Sequence, residues 1–184
     1  MADFPTIDTA RTTLTLLRME HAAALLAFQT ENRVHFAPWE PARLADYFTI
    51  EDCHARIDKS YRAFLGGTAL NFIALDSRSG KIVAACNFTN IVHGPFMACH
   101  LGYSVAAECE GQGLMHEVAA AGIDYMFNVA GLHRVMANHL PNNLRSERLL
   151  KKLGFEREGY ARSYLKIAGH WQDMVLNSRI NPAG

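Results

Sequence analysis

The stretch from Ala98 to Val129 constrains the fold more than any other part of the chain. It reads ACHLGYSV, then AAECEGQG, then LMHEVAAAGIDYMFNV. The first part has the pattern of a short apolar strand. The last part has that of an amphipathic helix, with Leu114, Val118, Ala121, Tyr125 and Val129 at helical spacing. Gly111 and Gly113 stand where the one becomes the other. Glycine lets backbone N–H groups approach a ligand closely. A helix start adds unpaired N–H donors and the positive end of a dipole. Strand, glycine loop and helix together make an anion cradle, most often for phosphate.

The loop lacks the Gly-Lys-Ser/Thr ending of a nucleotide P-loop. A dinucleotide fold wants a third glycine three residues after Gly113, where His116 stands. The segment Glu108-Cys109-Glu110-Gly111-Gln112-Gly113 instead resembles the pyrophosphate loop of the GNAT acetyltransferases, Gln/Arg-x-x-Gly-x-Gly/Ala. Its last two fixed positions match, and Glu108 departs from the first. An acid beside a pyrophosphate is unfavourable unless its side chain points to solvent.

Further along, His133 to Asn138 reads as another strand, followed by Pro141, Asn142, Asn143 and Ser146 and a short helix ending Leu149-Leu150-Lys151-Lys152-Leu153-Gly154-Phe155. This Asn-x-x-Ser … Leu-x-x-Leu-Gly-Phe run resembles the second half of a GNAT domain. Asn87-Phe88-Thr89-Asn90, Leu101-Gly102-Tyr103-Ser104, Gly111 to Met115, Met136-Ala137-Asn138 and Gly169 to Asp173 resemble the RimJ type, the ribosomal-protein-alanine N-acetyltransferases. The likeness runs from about Leu14 onward.

The resemblance implies a GNAT fold. This is an α/β domain with a single mixed, mostly antiparallel twisted sheet, a splayed central strand pair and flanking helices. It implies acetyl-CoA as co-substrate. Glu110, Gly111, Gln112, Gly113, Leu114 and Met115 would hold the pyrophosphate. The pantetheine arm would lie between Leu101–Val105 and Val135–His139, meeting Tyr103, Ser104, Val105 and Asn138. A backbone N–H near Ser104 or Val105 would face the thioester oxygen. Asn143 would bond the coenzyme, unless it is only a turn residue.

Acid and base are where the sequence departs from well-known relatives. Asn138 stands where some N-terminal acetyltransferases carry glutamate, and it cannot titrate. Leu150 stands where many GNAT enzymes carry a tyrosine acid. By resemblance, Ser146 is the remaining hydroxyl near the sulfur, with a helix-cap role as the alternative. His100, on the first splayed strand, is the candidate base; a neutral structural histidine, Glu31 or water alone compete with it. The acceptor groove would be walled by the Asn32–Pro41 loop, with Asn32 and Trp39, and by the last hairpin, with Tyr164 and Trp171. Trp39 as a core plug is the other reading.

The 184 residues suffice for one domain, 1–184, with a substantial core. Formal charges balance to zero, so no basic field argues for direct nucleic-acid binding. No apolar run reaches the ~20 residues that cross a bilayer, and the polar start MADFPTIDTARTT has no signal-peptide core. Cys53, Cys86, Cys99 and Cys109 show no C-x-x-C spacing and read as free thiols in a reducing cytoplasm. Neither they nor the nine histidines form a metal pattern, so no metal is expected.

Taken in order, Thr13–Arg18 reads as a strand, Glu20–Thr30 as a helix, Glu31–Pro41 as a loop or broken helix, and Arg43–Phe64 as helical. Ala69–Asp76 and Lys81–Asn87 read as a hairpin about Ser77–Gly80, and His93-Gly94-Pro95 as a turn. Glu156 to Ile180 reads as two strands joined at Ala168-Gly169. The expectation is an acetyltransferase for the N-terminal amine of a ribosomal protein beginning with alanine or serine, monomeric or homodimeric. Acetylation of a small amine and non-catalytic acyl-CoA binding are the alternatives.

Overall fold

The computed structural model describes residues 4–183; Met1 to Asp3, the start of the polar N-terminal stretch, and Gly184 lie outside them. Strands β1 (Thr6–Asp8) and β2 (Thr12–Leu16) lead into helix α1 (Ala22–Glu31), the one-turn α2 (Arg33–Phe36) and α3 (Ile50–Leu65). Then come β3 (Leu70–Asp76), β4 (Ile82–Val92), β5 (Ala98–Val105), α4 (Leu114–Asn128), β6 (Arg134–His139), α5 (Leu144–Lys152), β7 (Glu156–Ile167) and β8 (His170–Ile180). The strands form one sheet in the order β1-β2-β3-β4-β5-β6-β8-β7.

Every pairing is antiparallel except β5 with β6, whose connection is α4. A parallel pair needs such a crossover. The β5–β6 ladder is short: it pairs Ala98 with Arg134, Cys99 with Val135 and His100 with Met136, then stops. Beyond that point β5 stays on β4 as far as Val105, and β6 stays on β8 as far as His139. Two strands that share a start and part company leave backbone groups facing a V-shaped slot. An extended chain can pair there as an added strand. This is the expected splayed pair.

Apolar residues alternate across the sheet as strand geometry requires. Phe72 and Ala74 pack with Phe88, Cys99 and Val135 beneath α4, while Ile73 and Ile82 pack with α1 and α3. The buried stripe of α4 is rotated from the one the spacing predicts. Val118 and Leu114 are buried, but Ala121 and Tyr125 are half-buried and Val129 is 66% exposed. Met115, Ala119, Gly122, Ile123 and Met126 fill the interface instead. Gly122 marks the point of closest approach. A Cβ there would stand 2.8 Å from the Phe88 ring and 3.2 Å from Cys86 Sγ, so glycine lets the helix settle closest to the sheet on that side. Gly122→Ala is expected to cost about 1–3 kcal/mol, because Phe88 is fully enclosed and has nowhere to move. Urea unfolding measures this, and a loss under about 0.5 kcal/mol would show that the ring yields.

Other differences are local. β1 has no counterpart in the sequence reading, being three residues long and only partly buried. β4 runs five residues past Asn87, through an irregularity between Thr89 and Val92 where Asn90 takes φ 51°. The Glu31–Pro41 segment is indeed broken helix. No helix among the described residues is long and apolar enough to cross a membrane.

Candidate active site

Gly111 and Gly113 both take left-handed φ, 74° and 75°. A Cβ at either would meet nothing within 4 Å, so dihedral need rather than crowding selects glycine there. Gly113 is the N-cap of α4 and supplies no side-chain cap. The first-turn N–H groups therefore have no acceptor within the helix. They open on a cleft of about 600 Å³ that runs from this loop to β5 and α5. Arg11 braces the loop from the edge of the sheet: its Nε and backbone N–H both donate to Glu117, at 2.8 Å each, and Nη1 donates to the Gln112 carbonyl at 3.0 Å.

Of the expected coenzyme residues, Tyr103, Ser104, Val105, Glu110, Gly111, Gly113, Leu114, Met115 and Asn143 line this cleft. Gln112 does not: its side chain bends back to donate to the Glu108 carbonyl at 2.7 Å. Nor does Asn138, half-buried on β6 where it pairs with Leu176. The acid that matters is not Glu108, which is exposed, but Glu110. Its carboxylate accepts from Arg145 Nη1 on α5 and lies 3.9 Å from His35 Nε2 on α2. Arg145 thus offsets the negative charge beside the loop.

One face of α5 forms the opposite wall. Arg145, Ser146, Arg148, Leu149 and Lys152 all line the cleft, and the sequence reading missed the three cations. Their spacing on a short helix after Asn-x-x was the available signal. Asn143 caps α5, its Oδ1 accepting from the Ser146 N–H at 3.0 Å. Leu150 is 1% exposed and packs in the core under α4. This α5 register therefore turns the position of the missing tyrosine away from the cleft.

A phenol reaches the cleft from the other wall. Tyr103 Oη on β5 lies 2.6 Å from Ser146 Oγ. Burial pushes the Tyr103 hydroxyl up to about 12, opposed in part by the bond to Ser146. The phenol therefore stays protonated across the physiological range.

The remaining candidates fall elsewhere. His100 does not line the cleft; side chains alternate along β5, which puts it on the sheet face opposite Tyr103. Its Nδ1 is buried without a partner, and burial holds its pKa below the ordinary value. Asn32 is not a groove residue. It is buried, donating to the Phe28 carbonyl at 2.9 Å and accepting from the Ala107 N–H at 2.8 Å, so it ties α1 to the approach of the glycine loop. Trp39 is no core plug: it is 39% exposed and lines the cleft. The loop and the last hairpin do meet, through the Ala168 N–H donating to the Glu40 carbonyl at 2.9 Å. Tyr164 and Trp171 lie exposed on β7 and β8 and line neither this cleft nor the smaller hollow beside Ala168. Cys53, Cys86 and Cys99 are buried free thiols, and Cys109 is partly exposed. No group of residues suited to a metal occurs among the described residues.

A glycine loop at a helix start, a slot between splayed strands and a cationic opposite wall define the frame of an acyl-coenzyme-dependent N-acetyltransferase. Residues 11–156 match the family model described as acetyltransferase (GNAT) domain, and the chain belongs to that family. It is 39% identical over 176 residues to the [ribosomal protein uS5]-alanine N-acetyltransferase of Escherichia coli strain K12, covering 96% of this chain and 91% of that protein. The crystal structure of ribosomal-protein-S5-alanine acetyltransferase from Vibrio fischeri superposes with a TM-score of 0.92 at 35% identity, covering 97% of each chain. Mycobacterium smegmatis RimJ in complex with CoA-disulfide gives a TM-score of 0.90 at 27% identity, covering 96% of this chain and 87% of that one.

Proposed function

We propose that this chain, acting as one catalytic domain, transfers an acetyl group from acetyl-CoA to the N-terminal α-amine of a ribosomal protein beginning with alanine or serine. The observation that carries the reading is a single cleft holding the glycine loop, the Tyr103–Ser146 pair and Trp39 together. Near full-length likeness to a ribosomal protein uS5-alanine N-acetyltransferase supports the acceptor. The setting is the cytoplasm.

The residues suit the coenzyme. Free N–H groups after Gly113 and the side chains of Arg145, Arg148 and Lys152 can receive its phosphates. Open strand edges beyond His100 and Met136 can pair with its pantetheine amides. Bound acetyl-CoA supplies an activated acetyl thioester. Ser146, which lines the cleft, would donate to the departing sulfur. Neither His100 nor the exposed Glu31 lines the cleft. A strong base is unnecessary for an α-amine, whose pKa is roughly 7.7–8.0, so water suffices to take the proton.

Incubation with acetyl-CoA and four-residue peptides, read by mass spectrometry, tests this. Peptides led by alanine or serine should be acetylated at the N-terminus only, with internal lysines untouched. The rate should climb between about pH 7 and 8 as the amine deprotonates. Trp39→Ala should raise the peptide KM about tenfold and leave acetyl-CoA affinity alone. Better turnover of free amino acids or polyamines would replace this reading with a small-molecule acetyltransferase.

A further inference from the structure

We infer that Tyr103 is a positioning residue for acetyl transfer: its phenol donates to Ser146 Oγ and so aims the serine's own hydroxyl hydrogen at the coenzyme sulfur. The inference rests on the acetyl-CoA reading above. Tyr103 on β5 and Ser146 on α5 stand on opposite walls of the cleft, 43 residues apart in sequence and 2.6 Å apart in space. A serine hydroxyl has one hydrogen and a free rotor. Left alone, it divides that hydrogen among water and any nearby acceptor. Asn143 Oδ1 accepts from the Ser146 backbone N–H, and the bond that Ser146 Oγ itself makes is the one to Tyr103 Oη.

The phenol is the stronger donor of the pair, and its burial keeps it protonated. With Oγ accepting from Tyr103, the serine hydrogen is left to point into the cleft, and the accepted bond polarises it further. An aliphatic alcohol is far too weak an acid to surrender a proton to a thiolate of pKa near 8.5, roughly that of an ordinary thiol. The useful act is donation to the charge that develops there. The balance is then simple. The acetyl C–S bond breaks with its electron pair left on sulfur, and the acetyl carbon bonds to the amine nitrogen. That nitrogen gives one proton to water, and the sulfur takes one from water. Tyr103 and Ser146 begin and end protonated.

The bond also explains how the site works without a tyrosine at position 150. The α5 register buries Leu150, and the hydroxyl network is completed from β5 instead.

A readout independent of turnover is the thiol pKa of bound coenzyme A, followed by thiolate ultraviolet absorbance. A hydrogen bond to the thiolate lowers that pKa. The other titratable or charged side chains of the cleft, His35, Glu40, Cys109, Glu110, His116 and the α5 cations, are common to every variant and cancel in the comparison. Ser146→Ala should raise the bound-thiol pKa by about one unit, and Tyr103→Phe by about half a unit or more. Tyr103→Phe should lower kcat about tenfold with KM for acetyl-CoA unchanged. The double variant should be no worse than Ser146→Ala, because Tyr103 acts only through the serine. A bound-thiol pKa in Tyr103→Phe equal to that of wild type overturns the inference, and so does a double-variant loss equal to the product of the single losses. If Tyr103→Phe melts early, 3-fluorotyrosine at position 103 serves: as a stronger donor it should lower the bound-thiol pKa below wild type, and an unchanged value overturns the inference. Wild-type protein that binds no coenzyme A, or acetylates no amine, removes the acetyl-transfer reading itself and this inference with it.

Discussion

Ser146→Ala is expected to lower kcat about 10²-fold, the loss that follows when one well-placed donor to a developing charge is removed. The substitution should leave the scaffold alone. Alanine is a good helix former, and the α5 cap uses the backbone N–H of residue 146, which alanine retains. Coenzyme grip should survive too, because the cations of α5 and the first turn of α4 are untouched. The expected pattern is therefore a fall in kcat with little change in the acetyl-CoA dissociation constant. Steady-state kinetics with an alanine-led peptide, paired with calorimetric titration of acetyl-CoA, separates the two. A kcat within a factor of two of wild type would leave Ser146 as a helix residue and nothing more.

Gly113→Val should raise the acetyl-CoA dissociation constant about tenfold or more. At φ 75° a β-branched residue is strained, and relief of that strain moves the N–H groups that face the cleft. The strain alone should cost about 1–2 kcal/mol of stability. Gly80 provides a matched control. It has φ 69°, equally open space around its Cβ position, and a place in the β3–β4 turn among residues that do not line the cleft. Gly80→Val should lose similar stability and bind acetyl-CoA as wild type does. Equal affinity losses in both variants, or none in Gly113→Val, would take the coenzyme away from the glycine loop.

Much of the fold is readable because its signals are local. Asn143 caps a helix three residues before Ser146, and Ser77 to Gly80 closes a hairpin through bonds to Asp76 Oδ1. Gly111 and Gly113 announce a dihedral need that their neighbours cannot alter. Most helix boundaries and the strand hairpins follow from such features within a few residues, though α3 begins at Ile50, seven residues after the helical stretch read from Arg43. Spacing alone could not say which α4 face is buried, because the residue at the closest approach is a glycine, and a glycine's packing value depends on what lies opposite. Here Phe88 lies opposite, 34 positions before Gly122 in the chain.

The candidate site divides along the same line. By itself the sequence determined the cradle: a strand, two glycines at positive φ and a helix whose first N–H groups have no partner, all within one continuous segment. It also placed Asn143 and Ser146 at the start of α5. Only the tertiary structure decided what faces that cradle. Glu110 meets Arg145 across 35 residues, Asn32 turns from a supposed groove residue into a brace for Ala107 across 75, and Arg11 steadies the loop through Glu117 across 106. His100 leaves the cleft while Tyr103 stays in it, because alternate residues of a strand point to opposite faces. The point at which β5 and β6 part, after His100 and Met136, fixes the slot. The physical reason is that each of these pairings is set by sheet order and ladder register, which depend on the packing of the whole chain, whereas a positive φ or a helix cap is satisfied by its own few neighbours.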